Sequence, residues 1–456
     1  MNVLLVTGLV AGGVGRHVEM LVRGLVGRGY RVVVACPEDV SQSFDLTGAR
    51  IVPIQIGARP HPWRDQRTVR TLARLFAGAD VVHAHGIRAG ALASLARGWL
   101  GNGRWETGRR HGPRLVVTTH NAAPHHAAPS PAGASGASSS ARTTSGVATS
   151  VTAALAYRLS EELVVRGADL VLGVSPDLVD RARAAGAAEV GLAVVPARDE
   201  RDRPTRDAVE VRRELGLPEN EHGGDGNEGP LLVVSVGRLA EQKDHASLIE
   251  AQVEVLRRWP TTPPPHLVIA GDGPERARLQ ERIDARLAGL AGLAAGPVAA
   301  DPPIRLLGQR SDVSDLLAAA DLVVSSARWE GQPVWLQEAL QRGCPIVATA
   351  VGGTGLLLDD GAELIHRDDS VHPSGRDDPS RALSHRLADA MWRVLTDPDH
   401  RADLRSRALA RAAELPTEED ALEATLTAYR GGGAGPQPTP PDAPGAPGAP
   451  DPRPLT

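Results

Sequence analysis

The sequence predicts an α/β protein built from two doubly wound parallel sheets, and three observations carry that prediction. Short Val- and Leu-rich runs alternate with stretches whose apolar residues recur at helical spacing, which is the βα rhythm of a mostly parallel sheet. The rhythm runs twice, broken by a charged stretch that ends in EHGGDGNEGP at 221–230. Aromatics are scarce, with 2 Phe and 3 Tyr in 456 residues, so the cores must be assembled from Val, Leu, Ile and Ala. That chemistry suits sheets covered on both faces by alanine-rich helices. A chain of this length also exceeds one ordinary core.

In the first series, Val3 to Val6 is a strand and Val14 to Gly27 has helical spacing. Strands are expected at Arg31 to Ala35 and Ile51 to Ile56, followed by a helix at Val69 to Phe76. Val81-Val82, Leu115 to Thr118 and Leu170 to Val174 continue the strands. Two inserts interrupt them. The segment 101–112 is rich in glycine and arginine, and 122–150 is almost entirely Ala, Pro, Ser, Gly and Thr. The latter has too little apolar mass to offset its ordering entropy and is expected to be mobile. It reads as a spacer, or as a flap, since it follows Thr119-His120-Asn121 directly.

The first domain is therefore expected over 1–200 and the linker over 201–230. The second domain, 231–400, opens with the strand LLVVSVG and a helix from Asp244 to Arg258. Strands at His266 to Ala270, Ile304 to Leu307, Leu322 to Ser325 and Pro345 to Thr349 alternate with helices at Glu275 to Leu287, Val313 to Ala319 and Val334 to Gln341. Arg367 to Pro379 reads as a polar insertion. A helical segment over 401–430 is expected to pack back on the first domain, and 431–456 is a Pro/Gly-rich tail that cannot pack.

Net charge is −5 with the signs mixed, which gives no basic stripe for a nucleic acid. Cys36 and Cys344 stand far apart beside apolar runs and read as buried thiols in a cytosolic chain. The opening MNVLLVTGLVAGGVGRH lacks a basic n-region and reads as a first strand and turn. No apolar run is long enough to span a bilayer. Peripheral contact with the inner face of a membrane stays open.

The residues that could carry chemistry follow the strands. Gly12 and Gly13 open a helix after the first strand, where backbone N–H groups could meet an anion or where glycine is needed for steric reasons alone. Gly237 and Arg238 follow the first strand of the second series, with Lys243 five residues beyond Arg238. A fork and a mobile ammonium suit a diphosphate, although a solvated basic pair would look the same. Gly271-Asp272-Gly273, Gly308, Glu330-Gly331 and Gly352-Gly353-Thr354 close four more strands, and the last could offer N–H groups to a phosphate. Five successive loops thus bring polar or glycine residues to one sheet edge, where open sheets bind ligands. Glu338 lies on the helix after Glu330; a buried carboxylate there wants donors, which the vicinal hydroxyls of a ribose provide. His120 follows a first-domain strand, with His83 and His85 placed similarly. No His set has metal-ligand spacing with Cys, Asp or Glu, so no metal is assigned.

These residues lie in stretches that resemble one family: GLVAGGVGRHVEMLVRGLVGRGYRVVVA, VVHAHG, LVVTTHN, VSVGRLAEQKD, LVIAGDGPER and SSARWEGQPVWLQEALQRGCPIVATAVGG. They are similar to the retaining glycosyltransferases of the family-4-like group, whose GT-B fold sets two Rossmann-like domains face to face across a cleft. The resemblance runs to about residue 430 outside the inserts, and its most specific part is the pair of glutamates eight apart. It implies that Glu338 holds the nucleotide ribose, that Glu330 with Gly331 meets the donor sugar or its phosphate, and that Arg238 and Lys243 neutralise the diphosphate. It implies a role for His120 at the sugar, and for Gly12 and Gly13 along the donor phosphate and acceptor side. The donor would be a UDP-, GDP- or ADP-sugar carrying a hexose-type unit, the acceptor a glycan, lipid or small molecule, with no cofactor required.

The sequence departs from the family at Gly331-Gln332-Pro333, at Val195-Pro196-Ala197-Arg198 and at Thr354-Gly355-Leu356, where an acidic residue is common. A nucleotide-sugar epimerase-like enzyme and a non-catalytic sugar- or nucleotide-binding scaffold are the alternatives on the same fold.

Overall fold

The computed structural model describes residues 1–8, 12–57, 60–100, 112–121, 145–196, 204–217, 229–260, 263–291, 302–367 and 379–431; of 100, 145–154, 291 and 379 only the backbone is described. The first unit runs β1 (Asn2–Thr7), α1 (Gly13–Gly27), β2 (Arg31–Cys36), α2 (Glu38–Ser43), β3 (Arg50–Pro53), α3 (Pro62–Phe76), β4 (Val81–His85), α4 (Ile87–Leu100), β5 (Arg114–Thr119), α5 (Ser145–Gly167), β6 (Leu170–Gly173), α6 (Pro176–Ala184) and β7 (Val190–Leu192). Its seven strands are parallel, in the order β3-β2-β1-β4-β5-β6-β7.

The second unit begins with α7 (Ala208–Glu214) and β8 (Leu232–Val236), then α8 (His245–Arg258), β9 (His266–Ala270), α9 (Arg276–Ala291), β10 (Ile304–Gly308), α10 (Val313–Ala318), β11 (Leu322–Ser325), α11 (Val334–Gln341), β12 (Ile346–Thr349), α12 (Thr354–Leu358) and β13 (Glu363–Ile365). Helices α13 (Pro379–Thr396), α14 (Pro398–Glu414) and α15 (Glu418–Arg430) follow. Its six strands are also parallel, in the order β10-β9-β8-β11-β12-β13.

Both orders reverse beside the first strand of the unit, so each sheet has a switch point: between β1 and β4, and between β8 and β11. Crevices open there beyond the strand C-termini. Alternation along the strands fills a core on each face. Val3 and Leu5 join α1 and α15 on one side of the first sheet, while Leu4 and Val6 join α3 and α4 on the other. In the second sheet Val233 faces α8, α9 and α13, and Leu232 and Val234 face α7, α10 and α11.

Several boundaries differ from those the sequence suggests. Residues 208–217 belong to the second unit, because Val211, Leu215 and Leu217 are buried in its core instead of lying in a linker. The third strand ends at Pro53, and Ile54 and Ile56 cover the core from a loop. Residues 145–150 of the second insert start α5; the rest of it, the first insert up to residue 111 and the tail from 432 lie outside the described residues. Arg367 does not belong to a polar surface insertion, since its side chain is 7% exposed and bonded to Asp244.

The helical stretch over 401–430 is divided at Pro416, which cannot continue α14. Helix α14 stays on the second unit against α11 and α13, and only α15 crosses to lie on α1 and β5. A capping box at Thr417 and Asp420 starts α15 afresh. Its Leu422 is 4% exposed, and a Cβ on Gly24 of α1 would lie 2.5 Å from Leu422 Cδ2. Leu422→Ala should therefore cost about 2–5 kcal/mol, read from the urea midpoint; no loss would show that α15 is not docked in solution.

Candidate active site

The first unit brings four histidines to the end of its sheet. His83 and His85 share a face at the end of β4, His120 follows β5, and His17 comes from α1. Ring centroids are 4.2 Å apart for His83 and His85, 5.6 Å for His85 and His120, and 5.7 Å for His17 and His85. His83 is held at both nitrogens, Nδ1 lying 2.9 Å from Tyr429 Oη of α15 and Nε2 2.7 Å from Thr118 Oγ1. His85 Nδ1 lies 3.3 Å from His120 Nε2. Burial lowers the pKa of His17 to about 4 and that of His120 to about 3, and drives His83 and His85 well below the usual value. All four are neutral near pH 7. The sequence singled out His120 and, more weakly, the period-2 pair on β4; His17 was missed because it sits inside an ordinary helical pattern. Among the described residues no group of three or more His, Cys, Asp or Glu is placed to hold a metal ion.

The second unit faces this cluster. A Cβ on Gly331 would lie 2.6 Å from Val174 Cγ2 and 3.7 Å from the His120 carbonyl, and one on Gly13 would lie 3.4 Å from Val334 Cγ2. Glu330 and Glu338 are only 6% and 5% exposed. Lys243 Nζ is bonded to Glu330 Oε1, which links two of the predicted residues directly. Arg16 of α1 reaches across to place Nη1 3.6 Å from Glu338 Oε1. Arg238 is exposed at the mouth of the β8 crevice, and Gly12 ends the β1 loop with a positive φ of 57°.

Asp244 and His245 hold the two cations in place, and the sequence did not single them out. Asp244 has a φ of 49°, a left-handed conformation uncommon outside glycine. Its carboxylate accepts from Ser247 Oγ at 3.0 Å and from Arg367 Nη1 at 3.0 Å. Ser326 Oγ lies 3.1 Å from the Lys243 carbonyl and 3.0 Å from that of Asp244. His245 is buried against the backbone of Gly237 and Arg238, and burial, reinforced by Lys243, lowers its pKa to about 4.

The glycines act differently from the expectation. Gly237 N–H donates to the Ala270 carbonyl, Gly271 N–H to that of Gly308, Gly353 N–H to that of Glu330 and Thr354 N–H to that of Val351. Those four N–H groups are committed within the protein and are not offered to a phosphate. The glycines permit backbone contact between loops instead: a Cβ on Gly271 would lie 1.9 Å from the Gly237 carbonyl oxygen, and one on Gly352 1.9 Å from that of Glu330. Gly273 N–H is capped by Asp272 Oδ1 at 2.7 Å. The loops carrying Arg238 and Glu330 are thus each propped by a neighbouring glycine loop.

Two of the three departures from the family pattern touch one another. Gln332 Nε2 donates to the Ala193 carbonyl at 2.8 Å, and Val195 N–H donates to Gln332 Oε1 at 3.1 Å. Gln337 Nε2 adds a bond to the Val195 carbonyl at 3.0 Å. Trp329 is buried in the core of the first unit and donates from Nε1 to Asp177 Oδ2 at 2.7 Å.

Two parallel-sheet units meeting edge to edge, with basic and carboxylate groups at one switch point and histidines at the other, define a GT-B architecture. Residues 12–198 match the glycosyl transferase 4-like domain and residues 230–397 the glycosyl transferases group 1 domain. The chain belongs to the glycosyltransferase 4-like family. It is 32% identical over 195 residues to an alpha-D-kanosaminyltransferase of Streptomyces kanamyceticus, covering 42% of each chain. It is 28% identical over 371 residues to a D-inositol 3-phosphate glycosyltransferase of Nocardia farcinica, covering 78% of this chain and 69% of that one. The match spans less than half the length of the kanosaminyltransferase and of a mannosyltransferase from Rhizobium meliloti. Among solved structures, Anabaena HepE in complex with UDP and glucose superposes with a TM-score of 0.64 at 17% identity, over 94% of this chain and 99% of that one. The sucrose-phosphate synthase of Thermosynechococcus elongatus gives 0.65 at 18% identity, over 94% and 98%.

Two outcomes follow from this geometry. Gly271→Ala places a methyl against backbone and should cost about 3 kcal/mol or more, seen as a lowered denaturation midpoint; an unchanged midpoint would mean that the loops are not stacked. The depressed histidines bind protons in the unfolded chain before they do so in the folded one. Stability should fall as pH drops from about 6.5, the ordinary histidine value, toward about 4, where His17 and His245 titrate in the fold. The slope is up to about 1.4 kcal/mol per pH unit for each histidine. Urea midpoints across this range test it, and His17→Gln should flatten the slope.

Proposed function

We propose that the protein transfers a hexose-type sugar from a nucleoside-diphosphate sugar to an acceptor hydroxyl with retention of configuration. The observation that carries this reading is the buried Lys243–Glu330 pair beside Glu338 on the second unit, with Gly331 brought up to the His120 backbone of the first. Glu338 takes the ribose hydroxyls, which supply donors to a carboxylate otherwise shielded from water. Arg238 and Lys243 take the diphosphate, where negative charge grows as the anomeric C–O bond breaks. Glu330 is bonded to Lys243, so it aims the ammonium and limits its motion. His120 meets the sugar from the opposite side, with Gly12 and Gly13 lining the acceptor side.

Retention fits a same-face route. The anomeric C–O electron pair passes to the departing phosphate oxygen, the acceptor oxygen bonds to the anomeric carbon, and its proton passes to that phosphate oxygen. Fixed cations serve this reaction because the leaving group gains charge before it is protonated. The UDP and UDP-glucose bound by the Anabaena protein support placing UDP-sugars first among the donors. No helix among the described residues is long and apolar enough to cross a membrane.

A thermal-shift screen with UDP-, GDP- and ADP-sugars should show one nucleotide stabilising the protein. Arg238→Ala should lower kcat by about 10²-fold, and Glu338→Ala should raise the donor KM. Absence of binding by all three nucleotides at millimolar concentration would overturn the reading.

A further inference from the structure

The histidine cluster contains one shared proton whose position can be deduced. His85 Nδ1 and His120 Nε2 face each other at 3.3 Å, so one of the two must donate and the other accept. The remaining nitrogen of His85, Nε2, is buried with no hydrogen-bond partner, in a side chain 2% exposed. His83 cannot supply one, because Tyr429 and Thr118 occupy both of its nitrogens. Its ring stands 4.2 Å from that of His85 as a fixed wall.

Only two neutral arrangements exist. With the proton on His120 Nε2, His85 must carry its own on Nε2, which buries an N–H with no acceptor. With the proton on His85 Nδ1, the buried Nε2 is a bare lone pair and His120 carries its proton on Nδ1. An orphaned N–H is the rarer and costlier of the two defects. We infer that His85 is a positioning residue that fixes His120 in the Nδ1-protonated tautomer, so that His120 meets the donor sugar as a neutral hydrogen-bond donor. This rests on the proposed placement of the sugar beside His120.

A neutral donor has two consequences at that place. It recognises a hydroxyl or other oxygen lone pair on the sugar and does not act as a base toward it. It also adds no positive charge beside a sugar that becomes oxocarbenium-like, which an imidazolium would oppose. Burial keeps the ring neutral, with a pKa of about 3.

The test reads the tautomer first, by nitrogen NMR of histidine-labelled wild-type protein without donor. The inference expects His120 Nδ1 protonated and Nε2 bare. The reverse assignment overturns it, whether or not the protein turns over any sugar. In His85→Leu the fixed tautomer should be lost, and kcat should fall about 10- to 100-fold with donor KM little changed. In His85→Asn the amide N–H replaces the Nδ1–H, so both tautomer and rate should be largely restored; failure of that rescue overturns the positioning role. The expected tautomer combined with an unchanged rate in His85→Leu would overturn the catalytic part and, with it, the placement of the sugar at His120.

Discussion

Two carboxylates taken out of water constrain the cleft. Glu330 and Glu338 are each about one-twentieth exposed, and a buried charge persists only where partners meet it. Glu330 is answered by Lys243 from a different loop of the same unit, and Glu338 by Arg16 from the other unit. Much of the local geometry keeps these partners in reach. Ser326, Arg367 and the left-handed Asp244 hold the Lys243 turn, and the glycines at 271 and 352 bring neighbouring loops up beneath the charged ones.

Across the cleft the chemistry is of the opposite kind. The histidine cluster is polar, but burial keeps every ring neutral, so it offers directed hydrogen bonds without charge, and Arg16 brings the first unit's charge to Glu338 instead. Charged groups on one side and an uncharged, hydrogen-bonding histidine cluster on the other suit a reaction in which negative charge builds on the leaving phosphate and positive charge on the sugar. Helix α15 takes part through Tyr429, which fixes His83 from a segment far away in sequence.

The fold was legible because its signal is local: Val/Leu strands and helical spacing recur in order, and β11 and α11 fall on the residues the sequence marks. Of the residues the sequence marks, Lys243 and Glu330 bond to each other because their loops leave one sheet at the same edge, and Gly331 comes up beside the His120 backbone. The glycine turns were legible as positions but not as roles; sequence spacing cannot show that Gly353 and Thr354 N–H groups are already bonded. Asp244, His245 and His17 carried no signal, since their importance lies in contacts with Arg367, Gly237 and His85. The helix break at Pro416 was present in the sequence, yet periodicity continues across it and conceals the change of partner.

The Gln332 bonds to the 193–195 segment restrain how one unit can turn on the other. Ala193 donates its N–H to Gly173 in the first unit and gives its carbonyl to Gln332 in the second, and Val195, still in the core of the first unit, is bonded to both Gln332 and Gln337. The chain passes back at Leu415 to Thr417, between α14 and α15. Any rotation of one unit against the other therefore has to break the bonds of Gln332 and Gln337 to the 193–195 segment or carry that segment along. Trp329, seated in the first unit, is the pawl that such a rotation would have to lift.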